Sequence, residues 1–137
     1  MTPGTEGACA DAGHHAVPDA AFVAARAAQD KLGRDTAVLA MRDVLGVTDA
    51  FVITSGGNSR QVRTIVEEVE HQVKRDEGRA PHAIEGLRDL TWVLMDYGDF
   101  LVHVFQDEAR AYYDLERLWG DAPRVATATA SGGRSER

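Results

Sequence analysis

The feature that most restricts this chain is a strand, a turn and a helix following one another within residues 50–78. Ala50–Thr54 (AFVIT) is rich in β-branched and aromatic residues and apolar on both faces, which suits a central strand. Ser55-Gly56-Gly57-Asn58-Ser59 then turns the chain. From Arg60 onward, Val62, Ile65, Val66, Val69 and Val73 fall at i, i+3, i+4, i+7 and i+11, the spacing of a helix with one apolar face, and Gly78 ends it. Such a strand belongs inside a covered sheet, and a one-faced helix can cover it.

The neighbouring segments fit the same plan. Asp19 is placed to cap a helix carrying Phe22, Ala25, Ala28 and Leu32, which Gly33 stops. Thr36–Arg42 (TAVLAMR) is an apolar run too short for a helix and is expected to be a strand. Thr91–Met95 and Phe100–Phe105 are strands joined as a hairpin through Asp96-Tyr97-Gly98-Asp99, with a further short strand expected near His82–Ile84. Asp107–Trp119 sets Tyr112, Leu115, Leu118 and Trp119 on one helical side. The expected fold is a single α/β domain, a mixed sheet flanked by helices, over residues 19–119. Residues 1–18 and 120–137 are small, polar and without hydrophobic period, so both are expected to be flexible tails. His14-His15 in the first tail lacks a third ligand and is read as a solvated pair.

Composition narrows the function. Fifteen Lys and Arg against 22 Asp and Glu leave a net charge of −7, unsuited to gripping phosphates and suited to a basic partner. The single cysteine, Cys9, can form neither an internal disulfide nor a thiolate cluster, which points to a reducing cytosol. No apolar run approaches the roughly 18 residues of a membrane span, and the start lacks the features of a secretory signal; a soluble intracellular protein is expected.

Four places could carry chemistry. Ser55–Ser59 lies between a strand and a helix N-terminus, where amides and the helix dipole favour an anion, but it lacks the Gly-Lys-Ser/Thr ending of a P-loop. A structural turn is the preferred reading. Asp96 and Asp99 with Glu85 could hold a divalent cation, yet two of these acids flank a hairpin tip rather than alternating along a strand, and ordinary turn chemistry is preferred there too. His103 sits in an apolar strand, with no serine or cysteine nucleophile standing out beside it. It is read as a hydrogen-bonded core or interface histidine rather than a general base. His71 and His82 are expected at the surface, while Tyr112 is expected to pack and Arg110 to pair with a nearby acid. The hairpin carries the most weight. Trp92 and Tyr97 close to Asp96, Asp99 and Glu85 are what a binding face for a basic protein needs: area for affinity and charge for steering. The alternative is that Trp92 fills the core.

Taken together, these residues resemble a known family. Thr48–Gly56 (TDAFVITSG) with Ser59-Arg60-Gln61-Val62, Glu85-Gly86, Trp92–Asp99 (WVLMDYGD), Val102–Phe105 (VHVF), Arg110, Tyr112-Tyr113, Leu115-Glu116, Leu118-Trp119 and Asp121-Ala122 are similar, in order, to the ribosomal silencing factors (RsfS, or Iojap). Gly57-Asn58 depart from the Thr-Ser often found in that loop. The resemblance implies a nucleotidyltransferase-like α/β core without the catalytic carboxylate pair, and a non-enzymatic role with no cofactor and no metal. It further implies binding to a large-subunit ribosomal protein (uL-fourteen), which blocks joining of the small subunit and represses translation when nutrients are scarce. A related organellar branch assists large-subunit assembly. A cytoplasmic homodimer when free, with no direct nucleic-acid readout and no membrane, completes the expectation. The contact face would centre on Trp92, Asp96, Tyr97 and Asp99, with Glu85, Met95 and Leu101 contributing. Two rival functions stay in view: a nucleotide- and metal-binding transferase-like enzyme using Ser55–Ser59 and Asp96/Asp99, and a dimerisation module with no ribosomal partner.

Overall fold

The computed structural model describes residues 17–41, 48–113 and 124–125. Along them run α1 (Asp19–Asp30), β1 (Arg34–Ala40), β2 (Ala50–Gly56), α2 (Ser59–Glu77), β3 (Ala83–Glu85), β4 (Trp92–Asp96), β5 (Phe100–Gln106), α3 (Asp107–Tyr113) and β6 (Arg124–Val125). The strands form one sheet in the order β3-β4-β5-β2-β1-β6. β2 and β5 pair in parallel at its centre, and every other neighbouring pair is antiparallel. This is the mixed α/β sheet that the periodicity leads one to expect. All seven residues of β2 are buried, as a strand without a polar face requires.

α1 and α2 pack against each other and against one face of the sheet. The stripe Val62, Ile65, Val66, Val69 and Val73 is buried to the last residue, each such side chain contributing about 1.5–3 kcal/mol by leaving water. Asn58 caps α2 by accepting the Gln61 amide at 2.9 Å, and Gly78, at φ 68°, closes its other end. α1 buries Ala20, Ala21, Ala24, Ala25, Ala27 and Ala28, side chains small enough to sit closely among α2 and three strands. A polar clamp joins the two helices where the stripe ends: buried Gln72 accepts twice from Arg26 and donates to Asp30 and Glu68.

Four expectations shift. Pro18, not Asp19, occupies the cap of α1, and Asp19 is its first residue. Leu32 does not continue the apolar face: α1 stops at Asp30, and Leu32 turns out to solvent at φ 65°. Gly33 follows because a Cβ there would overlap the Thr54 hydroxyl and the Ala28 carbonyl. Both expected tails include residues that join the fold. Val17 is buried in the core, and Arg124–Val125 add a short antiparallel strand to the free edge of β1, with Val38 opposite Val125. The rest of both tails, and residues 114–119 of the last expected helix, lie outside the described residues.

A candidate partner-binding face on the sheet

Alternation along the strands divides the sheet into two sides. Val38, Val52, Val93, Met95, Val102 and Val104 face α1 and α2. The opposite side carries Leu39, Phe51, Ile53 and Phe105, with Trp92 and Leu101 half-buried beside them. Register assembles a patch there. Trp92 stands opposite Phe105, Leu94 opposite His103, and Asp96 opposite Leu101, while β2 brings Phe51 beside Leu101 and Ile53 beside His103. Leu94 and Asp96 are half-buried, and Glu85, opposite Leu94 on the edge strand β3, is exposed. The result is an apolar surface with acids along one border.

Rings lock the middle of this side. Trp92 stacks on Phe105 at 5.0 Å, His103 lies 6.2 Å from Phe105, and Phe51 meets His103 edge-on at 4.6 Å. The Trp92 indole donates from Nε1 to His103 Nδ1 at 3.1 Å. An indole N–H can only donate, so Nδ1 is bare and the imidazole proton sits on Nε2. His103 is 5% exposed, and burial lowers its pKa to about 4, so the ring is neutral at physiological pH. A hydrogen-bonded histidine within an apolar strand is the arrangement the sequence suggests.

The expected contact residues do not all share this surface. Trp92, Asp96, Leu101 and Glu85 do. Met95, 0% exposed, faces the helices. Tyr97, 1% exposed, also leaves the surface and lies inside the main core, where it stacks on Phe100 at 4.7 Å with the planes 6° apart; burial pushes its phenol well above the ordinary range. Alternation carried one residue past β4 puts Tyr97 on the helix side, and Arg79, which sequence reasoning missed, braces the turn there. Its guanidinium lies 5.3 Å from the Phe100 ring centre, donates to the Tyr97 carbonyl at 2.8 Å and pairs with Asp99 at 2.6 Å. Asp99 therefore serves the hairpin tip, as does Asp96, whose Oδ1 accepts the Gly98 amide at 2.8 Å. Gly98, at φ 94°, meets this bend's demand for a left-handed residue.

The turn after β2 is similarly occupied. Gln61 reaches back to accept the Gly57 amide at 2.7 Å and donates to the carbonyls of Lys31 and Leu32, while Ser59 accepts from Gln106. These bonds tie α2 to its neighbours, which favours the structural reading of Ser55–Ser59. Arg110, nine-tenths buried, donates to the carbonyls of Arg34 and Asp35 and to Ser55, anchoring α3 to the start of β1. Tyr112 is exposed rather than packed, and His71 and His82 are at the surface as expected. Leu94 was missed because TWVLM is apolar throughout and shows no period.

Residues 14–137 match the family model described as "Ribosomal silencing factor during starvation". A ribosomal silencing factor RsfS of Bacillus subtilis is 42% identical over 101 residues, 74% of this chain and 85% of that protein. Another from Halalkalibacterium halodurans is 40% identical over 103 residues, 75% of this chain and 87% of that one. Among solved structures, a protein of Chromobacterium violaceum superposes with a TM-score of 0.70 at 29% identity, covering 80% of this chain and 90% of its own.

Proposed function

Because this chain belongs to the ribosomal silencing factor family, we propose that it docks on a basic protein of the large ribosomal subunit, uL-fourteen, and so blocks joining of the small subunit. It acts as a steric wedge in the cytoplasm, and its role is regulatory rather than catalytic. Supporting the docking reading above all is the co-location of Trp92, Leu94 and Leu101, apolar and half-exposed, on the side of the sheet away from α1 and α2, with Asp96 and Glu85 at the border. Apolar area supplies affinity, and the acids steer a basic partner. Met95 and Tyr97 contribute from beneath, by filling the core under the hairpin, and Asp99 by holding its tip through Arg79.

Co-sedimentation with purified large subunits tests this. Trp92→Ala and Leu101→Ala should each weaken binding by about 2 kcal/mol, roughly thirtyfold, as truncated interface anchors do. Leu32→Ser, at an exposed leucine in the loop after α1, should leave binding unchanged. A folded Trp92→Ala, Leu101→Ala double variant that pellets with the subunits undiminished refutes the docking face. Subunits that join normally with the bound wild-type protein present refute the block.

A further inference from the structure

His103 is an expensive residue where it stands. It lies in an apolar row between Phe51 and Phe105, nearly without solvent, and its Nε2 finds no acceptor among the described residues. A leucine or phenylalanine would fill such a position without burying a polar ring. What the imidazole provides instead is an acceptor at Nδ1, and the Trp92 indole uses it. Trp92 is half-buried on β4, and the direction of its indole N–H depends on the rotamer the ring adopts. Stacking on Phe105 fixes one face of the indole, and the bond to His103 fixes its edge.

We propose that His103 is a positioning residue for docking: its Nε2–H tautomer holds the Trp92 indole by the N–H and presents the ring already oriented and with its donor satisfied. Two consequences follow for the partner. The ordering of Trp92 is completed before binding rather than during it, which favours affinity. The surface that covers Trp92 needs no acceptor of its own, so it can be apolar. The inference rests on the docking reading above and deepens it.

The test separates the two. In the free protein, solvent exchange of the Trp92 indole N–H is followed by nitrogen-edited NMR, the signal being assigned with Trp92→Phe; binding to large subunits is measured in parallel. His103→Leu and His103→Phe remove the acceptor, whereas His103→Asn keeps an oxygen close to the position of Nδ1. Either acceptor-free variant should raise the exchange rate at least tenfold and weaken binding about tenfold, and His103→Asn should restore both toward wild type. The leucine and phenylalanine variants differ in shape, so whichever folds decides the matter. Unchanged exchange, or faster exchange with unchanged binding, overturns the inference while leaving docking intact. Undiminished binding by Trp92→Ala overturns docking and the inference together.

Discussion

The two sides of the sheet are built from different materials. The side under α1 and α2 is mostly aliphatic and closed: Val38, Val52, Val93, Val102 and Val104 are without solvent, and alanines and valines from the helices fill the space above them. The other side mixes Leu39 and Ile53 with the rings of Phe51, Phe105 and Trp92, carries a histidine bonded to that tryptophan, and leaves Trp92, Leu94 and Leu101 half in water. β-Branched and small side chains pack densely and specify one arrangement. Large flat rings with a polar edge tolerate being partly wet, and they give much contact area with few torsions to freeze. One side thus serves stability, and the other spends some of it on surface.

This contrast can be broken by measurement. The largest effect should come from the closed side. Ile65→Ala removes a fully buried side chain from the stripe of α2 and should cost about 2–5 kcal/mol in urea unfolding, with subunit binding per folded molecule unchanged. Equal loss of binding would mean that the sides are not separable. Next comes acid. His103 has a folded pKa near 4 against 6.5 for a free imidazole, so between these values the unfolded chain takes up a proton that the native chain refuses. Stability contributed by the neutral ring is complete above pH 6.5, falls as the pH drops towards 4, and levels off below. The loss amounts to about 3 kcal/mol at 1.36 kcal/mol per pK unit. His103→Leu should lack that component, and unfolding curves of both proteins at pH 7 and pH 4 that shift in parallel would refute it. The smallest effect belongs to the border. Glu85→Gln should weaken docking by less than about 1 kcal/mol at physiological salt, and the difference should vanish as salt rises and exposed charges are screened beyond a few ångströms.

How far these sides could be read in advance depended on whether a segment shows a period. The valine stripe of α2 and the doubly apolar β2 leave no choice of orientation or layer, and both appear within two residues of their expected limits. The hairpin strands are apolar at nearly every position, so nothing local says whether Trp92 or Val93 faces the helices; pairing with β5 and β2 decides it. Tyr97 reads as an anchor because it is large, amphipathic and close to Asp96 and Asp99. The alternation of β4, carried on to Tyr97, turns it inward, and its backbone contact with Arg79 lies too far along the chain for any short window to show. β6 is two residues long and exists only because the edge of β1 accepts it. The docking role proposed for Trp92 and Leu101 leans, in the sequence, on the family resemblance and on the acids nearby, since burial alone does not distinguish an anchor from a core residue.

The parallel pairing of β2 with β5 has a consequence for how the molecule comes into being. Ala50 and Phe100 are opposite each other yet fifty residues apart along the chain, whereas β3, β4 and β5 join through short links. Loop-closure entropy makes the distant pairing slow to nucleate and the adjacent one quick. Contact order therefore favours the meander over the central seam as the place where pairing starts, and closing that seam carries the larger entropic cost.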